Sequence, residues 1–210
     1  MALKEQLYEN VVNGDAEGVK ELTVRALQEG FRVEELLNGV LIPAMADVGQ
    51  RFERQEFFVP EMLVAARAMK YGVDVLRPHL VAAGVKPVGT VLLGTVSGDL
   101  HDIGKNLVVM MLEGTGFRVV DLGVDVSPAK FVAAVREHSP QLVGMSALLT
   151  TTMMAMKATV EALEQAGVRD QVKVMIGGAP VTQRFADEIG ADIYAADASS
   201  AARKAKETVA

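Results

Sequence analysis

Up to about residue 82, apolar residues recur at helical spacing; from residue 89 onward they gather into short unbroken runs. Leu3, Leu7 and Val11 share one helical face. Val19, Leu22, Ala26 and Leu27 form a second stripe, which opens at Asp15, a side chain suited to capping a helix start, and closes at Gly30. A third stripe holds Leu36, Leu37 and Val40; Pro43 interrupts or bends it, and it resumes through Met45, Val48 and Phe52. Pro60 opens a last helix through Met62, Leu63, Ala66, Met69 and Val73, expected to end before Pro78. Residues 1–82 are therefore expected to form a bundle of four to five helices.

Residues 83–88, with Gly84 and Pro87, read as a linker. Beyond them the period changes. Strands fit at 91–96, 118–122, 142–145, 174–176 and, briefly, 192–194, and helices fit at 105–112, 128–137, 152–165, 181–189 and near 199–208. Strand and helix in strict alternation specify an α/β domain over residues 89–210, a Rossmann-like, flavodoxin-type sheet of five parallel strands with helices on both faces. No internal repeat or low-complexity segment interrupts it.

Composition narrows the chemistry. Half of the 210 residues are hydrophobic, which suits two packed domains. Cysteine is absent, so disulfides, thiolate zinc sites, iron–sulfur clusters and a cysteine nucleophile are excluded for this chain. A formal charge of −6 with no basic stripe argues against nucleic acid as a partner. The first residues open directly into a charged amphipathic pattern and no apolar run approaches a membrane span, so a cytoplasmic protein with no membrane partner is expected.

Four turns that leave successive strands carry polar or glycine residues, and all four fall on the sheet's carboxyl edge, where such sheets bind ligands. The first is Asp99-Leu100-His101-Asp102-Ile103-Gly104, which sets a histidine between two carboxylates. A neighbouring carboxylate fixes an imidazole's tautomer by accepting one ring N–H, so His101 has the surroundings of an oriented metal ligand or an oriented base. After the third strand come Ser146, Leu148, Thr150 and Thr152; these hydroxyls either cap the next helix or face the same crevice. Gly177-Gly178-Ala179 follows the fourth strand, a plain turn or a place where backbone approaches a bulky ligand closely, and Tyr194 sits at the fifth.

Several activities fail on these residues. Gly144-Met145-Ser146-Ala147-Leu148 lacks the second glycine of the hydrolase nucleophile elbow, and neither a dinucleotide fingerprint nor a phosphate loop is present. His79, beside Pro78, and His138, at a helix end, read as structural. One histidine is too few for a protein-built zinc site but enough where a macrocycle supplies the remaining ligands.

The combination Asp99-x-His101-x-x-Gly104, Ser146-x-Leu148 and Gly177-Gly178 resembles the signature of cobalamin-binding proteins that hold the corrinoid base-off with histidine on cobalt. Residues 1–82 resemble the helical cap of methionine synthase and of small corrinoid proteins in methyltransferase systems. The resemblance implies cobalamin or a related corrinoid as cofactor, His101 as the axial cobalt ligand, and Asp99 and Thr152 as a relay behind it. It places the cofactor's nucleotide tail beside Ser146, Leu148, Thr150 and the Gly177-Gly178-Ala179 turn, with Asp102, Ile103, Gly104 and Tyr194 in the same pocket. Phe52 and Val59 are placed over the upper face. In methionine synthase the relay ends on a serine; here Thr152 stands in that place, keeping the hydroxyl and adding a methyl group.

The implied function is methyl carriage through cobalt(I) and methylcobalt(III), between a substrate-specific methyltransferase and a corrinoid:acceptor methyltransferase that serves tetrahydrofolate or a thiol, with a reductive activator as a further partner. Alone, such a chain is a carrier subunit rather than a complete enzyme. Two relatives of the fold compete. A small mutase subunit shares the sheet and His101 but normally lacks the helical cap, and a cobalamin-based sensor and regulator needs an added DNA-binding module. The methyl donor is not legible.

Overall fold

The computed structural model describes residues 2–209, which divide into two compact units. One holds the chain up to Pro87 together with Gly114–Gly116, and the other holds Val88–Glu113 and everything from Phe117 onward.

The first unit is helical, as its periodicity requires: α1 (Leu3–Val12), α2 (Ala16–Gln28), a short α3 (Val33–Leu36), α4 (Ile42–Glu53) and α5 (Val59–Ala82). Leu7, Val11, Val19, Leu36, Met45, Met62 and Leu76 bury the inward stripes. Asp15 caps α2 by accepting the Gly18 N–H at 3.0 Å. Just before Pro43 the chain makes a π-turn (Leu37–Leu41) in which the Ile42 N–H reaches back to the Leu37 carbonyl. A proline breaks one bond of the regular ladder, and the widened turn absorbs that loss without a break in the helical path.

Pro78 does not end the last helix. α5 runs through it to Ala82, because residues 77–79 face solvent, where water replaces the lost N–H, while Leu76 stays buried on the inner side. The stop comes six residues later than Pro78, at Gly84, whose φ of +68° is closed by bonds from Gly84 N to Val81 O and Val85 N to Leu80 O.

The second unit is an α/β sandwich: β1 (Thr90–Val96), α6 (Ile103–Gly114), β2 (Arg118–Val126), α7 (Pro128–His138), β3 (Leu142–Ser146), α8 (Met154–Gln165), β4 (Lys173–Gly177), α9 (Gln183–Ile189), β5 (Ile193–Ala195) and α10 (Ala198–Val209). The strands are parallel in the order β2-β1-β3-β4-β5. The flavodoxin-type α/β class expected from the alternation is therefore the class observed. Residues 91–96 of β1 are buried throughout, which is why that run is apolar on both faces. Leu92, Phe131, Val143, Met156, Val160, Val174 and Ile176 build the core beneath the helices. β2 extends four residues past its expected end, and α8 starts at Met154 rather than at 152, since Thr152 belongs to the preceding turn.

Candidate functional site

The strand order reverses direction between β1 and β3, so the turns after these two strands flank the point where open α/β sheets form a crevice. The register sets Thr95 beside Ser146, Ser146 beside Gly177 and Gly177 beside Ala195, which aligns four strand ends in one row.

At the end of β1 the chain turns through Gly98, at φ +80°, and Asp99 N bonds to Val96 O at 3.1 Å. This drives the Asp99 side chain inward, where it is wholly buried. Its Oδ2 accepts the Thr152 hydroxyl at 2.7 Å and the Leu148 N–H at 2.8 Å. Its Oδ1 accepts the His101 backbone N–H at 3.0 Å and lies 2.7 Å from His101 Nδ1. Burial alone raises a carboxyl pKa; here the bonds from Thr152, the Leu148 amide and the His101 amide and ring outweigh it and hold Asp99 far below the usual range. An ionised carboxylate only accepts, so the hydrogen of this contact sits on Nδ1. The ring is about half exposed (51%) and Thr95 Oγ1 ties down the His101 carbonyl at 2.9 Å. His101 is thus a fixed imidazole with one free nitrogen.

Apolar side chains lie exposed on the segments that follow β1 and β3. Leu100 is 71% exposed and Ile103 77%, and Leu148, Leu149 and Met154 are exposed beyond the β3 turn. Single exposed leucines need no explanation, but five exposed apolar side chains within the segments that join β1 to α6 and β3 to α8, first helical residues included, suit a flat apolar ring. No group of three metal-ligating side chains exists among the described residues. A metal bound through His101 must bring its other ligands, as a cobalt macrocycle does. The residues present fit a corrinoid.

The remaining expected residues divide. Asp102 faces away to hold α6, accepting Asn106 N at 2.7 Å through its carbonyl and Asn106 Nδ2 at 3.1 Å through its carboxylate. A Cβ at Gly104 would meet open space, whereas Gly178, at φ +129°, is required by the chain itself: a Cβ there would lie 1.9 Å from Ala147 O. At Gly177 the same test gives 2.8 Å to Ala195 O, so the glycine pair serves strand-end packing before any ligand. Ser146 is half-buried at the row of strand ends, and Thr150 and Ala179 are exposed. Tyr194, on β5, is half-buried, and its carbonyl accepts Lys204 Nζ at 2.7 Å. Asp99, His101, Leu148 and Thr152 are thus joined directly.

In the helical unit, Phe52 is half-buried at the end of α4 and Val59, the first residue of α5, is 37% exposed. Phe58, which the sequence reading passed over, is 62% exposed. The signal was present in Phe57-Phe58-Val59-Pro60, an apolar run between a polar loop and a helix start. Arg51 holds this loop: its carbonyl accepts the amides of Glu56 and Phe57, its guanidinium pairs with Asp47, and it lies 5.3 Å from the Phe57 ring centre.

A histidine anchored to a buried carboxylate, at the switch point of an open parallel sheet with exposed apolar residues on the segments after β1 and β3, defines a protein that holds a large metal macrocycle. Family models described as B12 binding domain match residues 89–205 and 3–77. The chain is 45% identical to trimethylamine corrinoid protein 2 of Methanosarcina mazei over 98% of its own length and 97% of that protein's. A cobalamin-binding protein of Desulfitobacterium hafniense superposes with a TM-score of 0.84 at 31% identity over the whole of both chains. The methanol:cobalamin methyltransferase complex of Methanosarcina barkeri superposes with a TM-score of 0.87 at 30% identity, covering 99% of this chain and 79% of that one. The chain belongs to the B12-binding family. Cobalamin or a related corrinoid is its cofactor.

Proposed function

We propose that this chain is the corrinoid carrier of a methyl-transfer system, that His101 Nε2 is the axial cobalt ligand, and that a methylated amine is the methyl source. The carrying observation is the Asp99–His101 pair, which commits Nδ1 to a buried carboxylate on a ring that stays about half exposed. Bound at this site, cobalt supplies a centre that takes a methyl group from one substrate and gives it to another. His101 would hold the cobalt of a bound corrinoid through Nε2. Asp99 keeps the imidazole in one tautomer and raises its basicity as a ligand, and Thr152 and the Leu148 amide stabilise the carboxylate that does so. The exposed apolar residues Leu100, Ile103 and Leu148 would exclude water from a bound corrinoid.

Within the helical unit, Phe58 and Val59 at the start of α5 are exposed apolar residues, whereas Phe52 is half-buried. A methylated amine is supported by the relative that matches nearly the full chain at 45% identity, against 30% for the methanol complex. The partners are then an amine-specific methyltransferase, an acceptor methyltransferase that serves a thiol or tetrahydrofolate, and a reductive activator. No helix among the described residues is long and apolar enough to cross a membrane.

The test is to reconstitute the full chain with a corrinoid and offer it trimethylamine, dimethylamine and methanol, each with its methyltransferase, while following the cofactor's absorption. Methylation from an amine supports the reading. Methylation from methanol alone overturns the donor class and leaves the carrier role standing, and no methylation from any donor overturns both.

A further inference from the structure

β2 does not run evenly beside β1. Leu93 pairs with Asp121, Gly94 with Gly123 and Val96 with Val126, so the outer strand carries extra residues exactly where β1 ends. These residues bring Gly123 to φ +85° and Asp125 to φ +51°, a left-handed conformation that aspartate tolerates better than most side chains. In that conformation Asp125 reaches the β1 turn with both backbone and side chain. Its N–H donates to the Asp99 carbonyl at 3.0 Å. Its Oδ1 accepts the Gly98 N–H at 2.7 Å and lies 3.4 Å from Ser97 Oγ. Every residue between β1 and Leu100 is therefore held by Asp125, whose side chain is exposed and contributes nothing to the core.

We propose that Asp125 is a positioning residue for His101. Asp99 is held through its carboxylate by Leu148 and Thr152, beyond β3, and through its carbonyl by Asp125, on β2; the turn that aims the imidazole is gripped from both neighbouring strands. The irregular register sets Val126 beside Val96, whereas an even continuation from Leu93 and Asp121 would set residue 125 beside Ser97. The assignment rests on His101 being the cobalt ligand, as proposed above.

The substitutions Asp125→Gly and Asp125→Asn, in the full chain, separate backbone from side chain. Glycine keeps the left-handed conformation and the N–H but removes the acceptor; asparagine keeps all three. Without cofactor, amide exchange at Gly98 should quicken roughly ten- to a hundredfold in the glycine variant, as follows from losing one bond to a carboxylate in a locally opening turn. The His101 ring nitrogen resonances should move away from the single Nδ1-protonated form. Asparagine should restore both signals to within about twofold of the parent's exchange rate. With corrinoid bound, the axial-nitrogen hyperfine lines of the cobalt(II) form should broaden in the glycine variant and sharpen again in the asparagine variant. An unchanged Gly98 exchange rate and unmoved His101 resonances in the glycine variant overturn the role of Asp125. The choice of His101 as ligand fails separately, if His101→Ala keeps the axial-nitrogen lines.

Discussion

Two carboxylates at opposite ends of the sheet show how one kind of interaction serves two ends. Asp192, on the amino side of β5, accepts the Val174 N–H at 2.8 Å, Arg169 Nη2 at 2.7 Å and Lys173 Nζ at 3.3 Å. Asp99, at the carboxyl end of β1, accepts two amides, a threonine hydroxyl and an imidazole N–H. Burial raises both pKa values, and hydrogen bonds reverse the shift in both. Asp192 is additionally neutralised by two cations, a closed arrangement that ties the 169–174 segment to β5. Asp99 has no formal cation beside it, and its neutral partners pass its charge on to His101. What distinguishes the functional site is the half-exposed imidazole at its end, since a carboxylate held below its usual pKa by hydrogen bonds recurs at a purely structural position.

The comparison is broken most severely at Asp99. Asp99→Ala leaves the Thr152 hydroxyl, the Leu148 amide and Nδ1 facing a cavity, so unfolding stability should fall by about 3 kcal/mol or more in a denaturant titration. The imidazole should lose its single tautomer, and corrinoid affinity should fall about ten- to a hundredfold, as is usual when a metal ligand's supporting partner is removed. A loss below about 1 kcal/mol would show that the turn is held without the carboxylate.

Thr152→Val removes only one donor to a charge and should cost about 1–2 kcal/mol, while Thr152→Ser keeps the bond and should stay within about 1 kcal/mol of the parent. A larger loss in Thr152→Ser than in Thr152→Val would mean that the methyl group, and not the hydroxyl, is what Thr152 contributes.

How much of this was legible follows from what the sequence encodes locally. The β1 run, the Asp99-x-His101-x-x-Gly104 turn and the helical stripes are short-range patterns, and each lies where it was expected. Pro78 misled because a proline's cost depends on whether solvent can replace the lost bond, which sequence spacing does not report. The last four residues of β2 were read as loop because Gly123 and Asp125 are turn formers; only pairing with β1 makes them a bulge. Gly177-Gly178 was read as a plain turn or as room for a bulky ligand; the group that approaches Gly178 is Ala147 O, a contact set by strand order and invisible in one segment. Phe58 was hidden because an aromatic residue before a helix reads the same whether it is packed or exposed.

At the opposite end of the sheet, Asp192→Asn should cost about 1 kcal/mol at neutral pH, discounted for the 23% of its side chain that stays exposed. Its folded pKa lies below the unfolded value, so the contribution is complete above the unfolded pKa, near 4, and is lost as pH falls through the folded one. The gap between parent and variant should therefore be constant from about pH 5 upward and close as pH drops below about 4. A gap that widens in acid would overturn the assignment of Asp192 as an ionised anchor.

The smallest effect on stability should come from the residue that matters most to the site. His101 is half exposed, buries little apolar surface, and donates from Nδ1 to a carboxylate that keeps three other donors when the ring is gone. His101→Ala should therefore change unfolding free energy by no more than about 0.5–1 kcal/mol, within the range of ordinary surface substitutions plus one partly exposed charged bond. The same variant should lose the axial nitrogen from the cobalt(II) spectrum of the reconstituted chain, because no other histidine lies on the carboxyl edge: His79 is in the last turn of α5 and His138 at the end of α7. Measured together, the two readouts divide structure from function at a single position. A loss of more than about 2 kcal/mol would place His101 among the groups that hold the turn, as Asp192 holds the other end of the sheet, and remove the contrast between the two carboxylates.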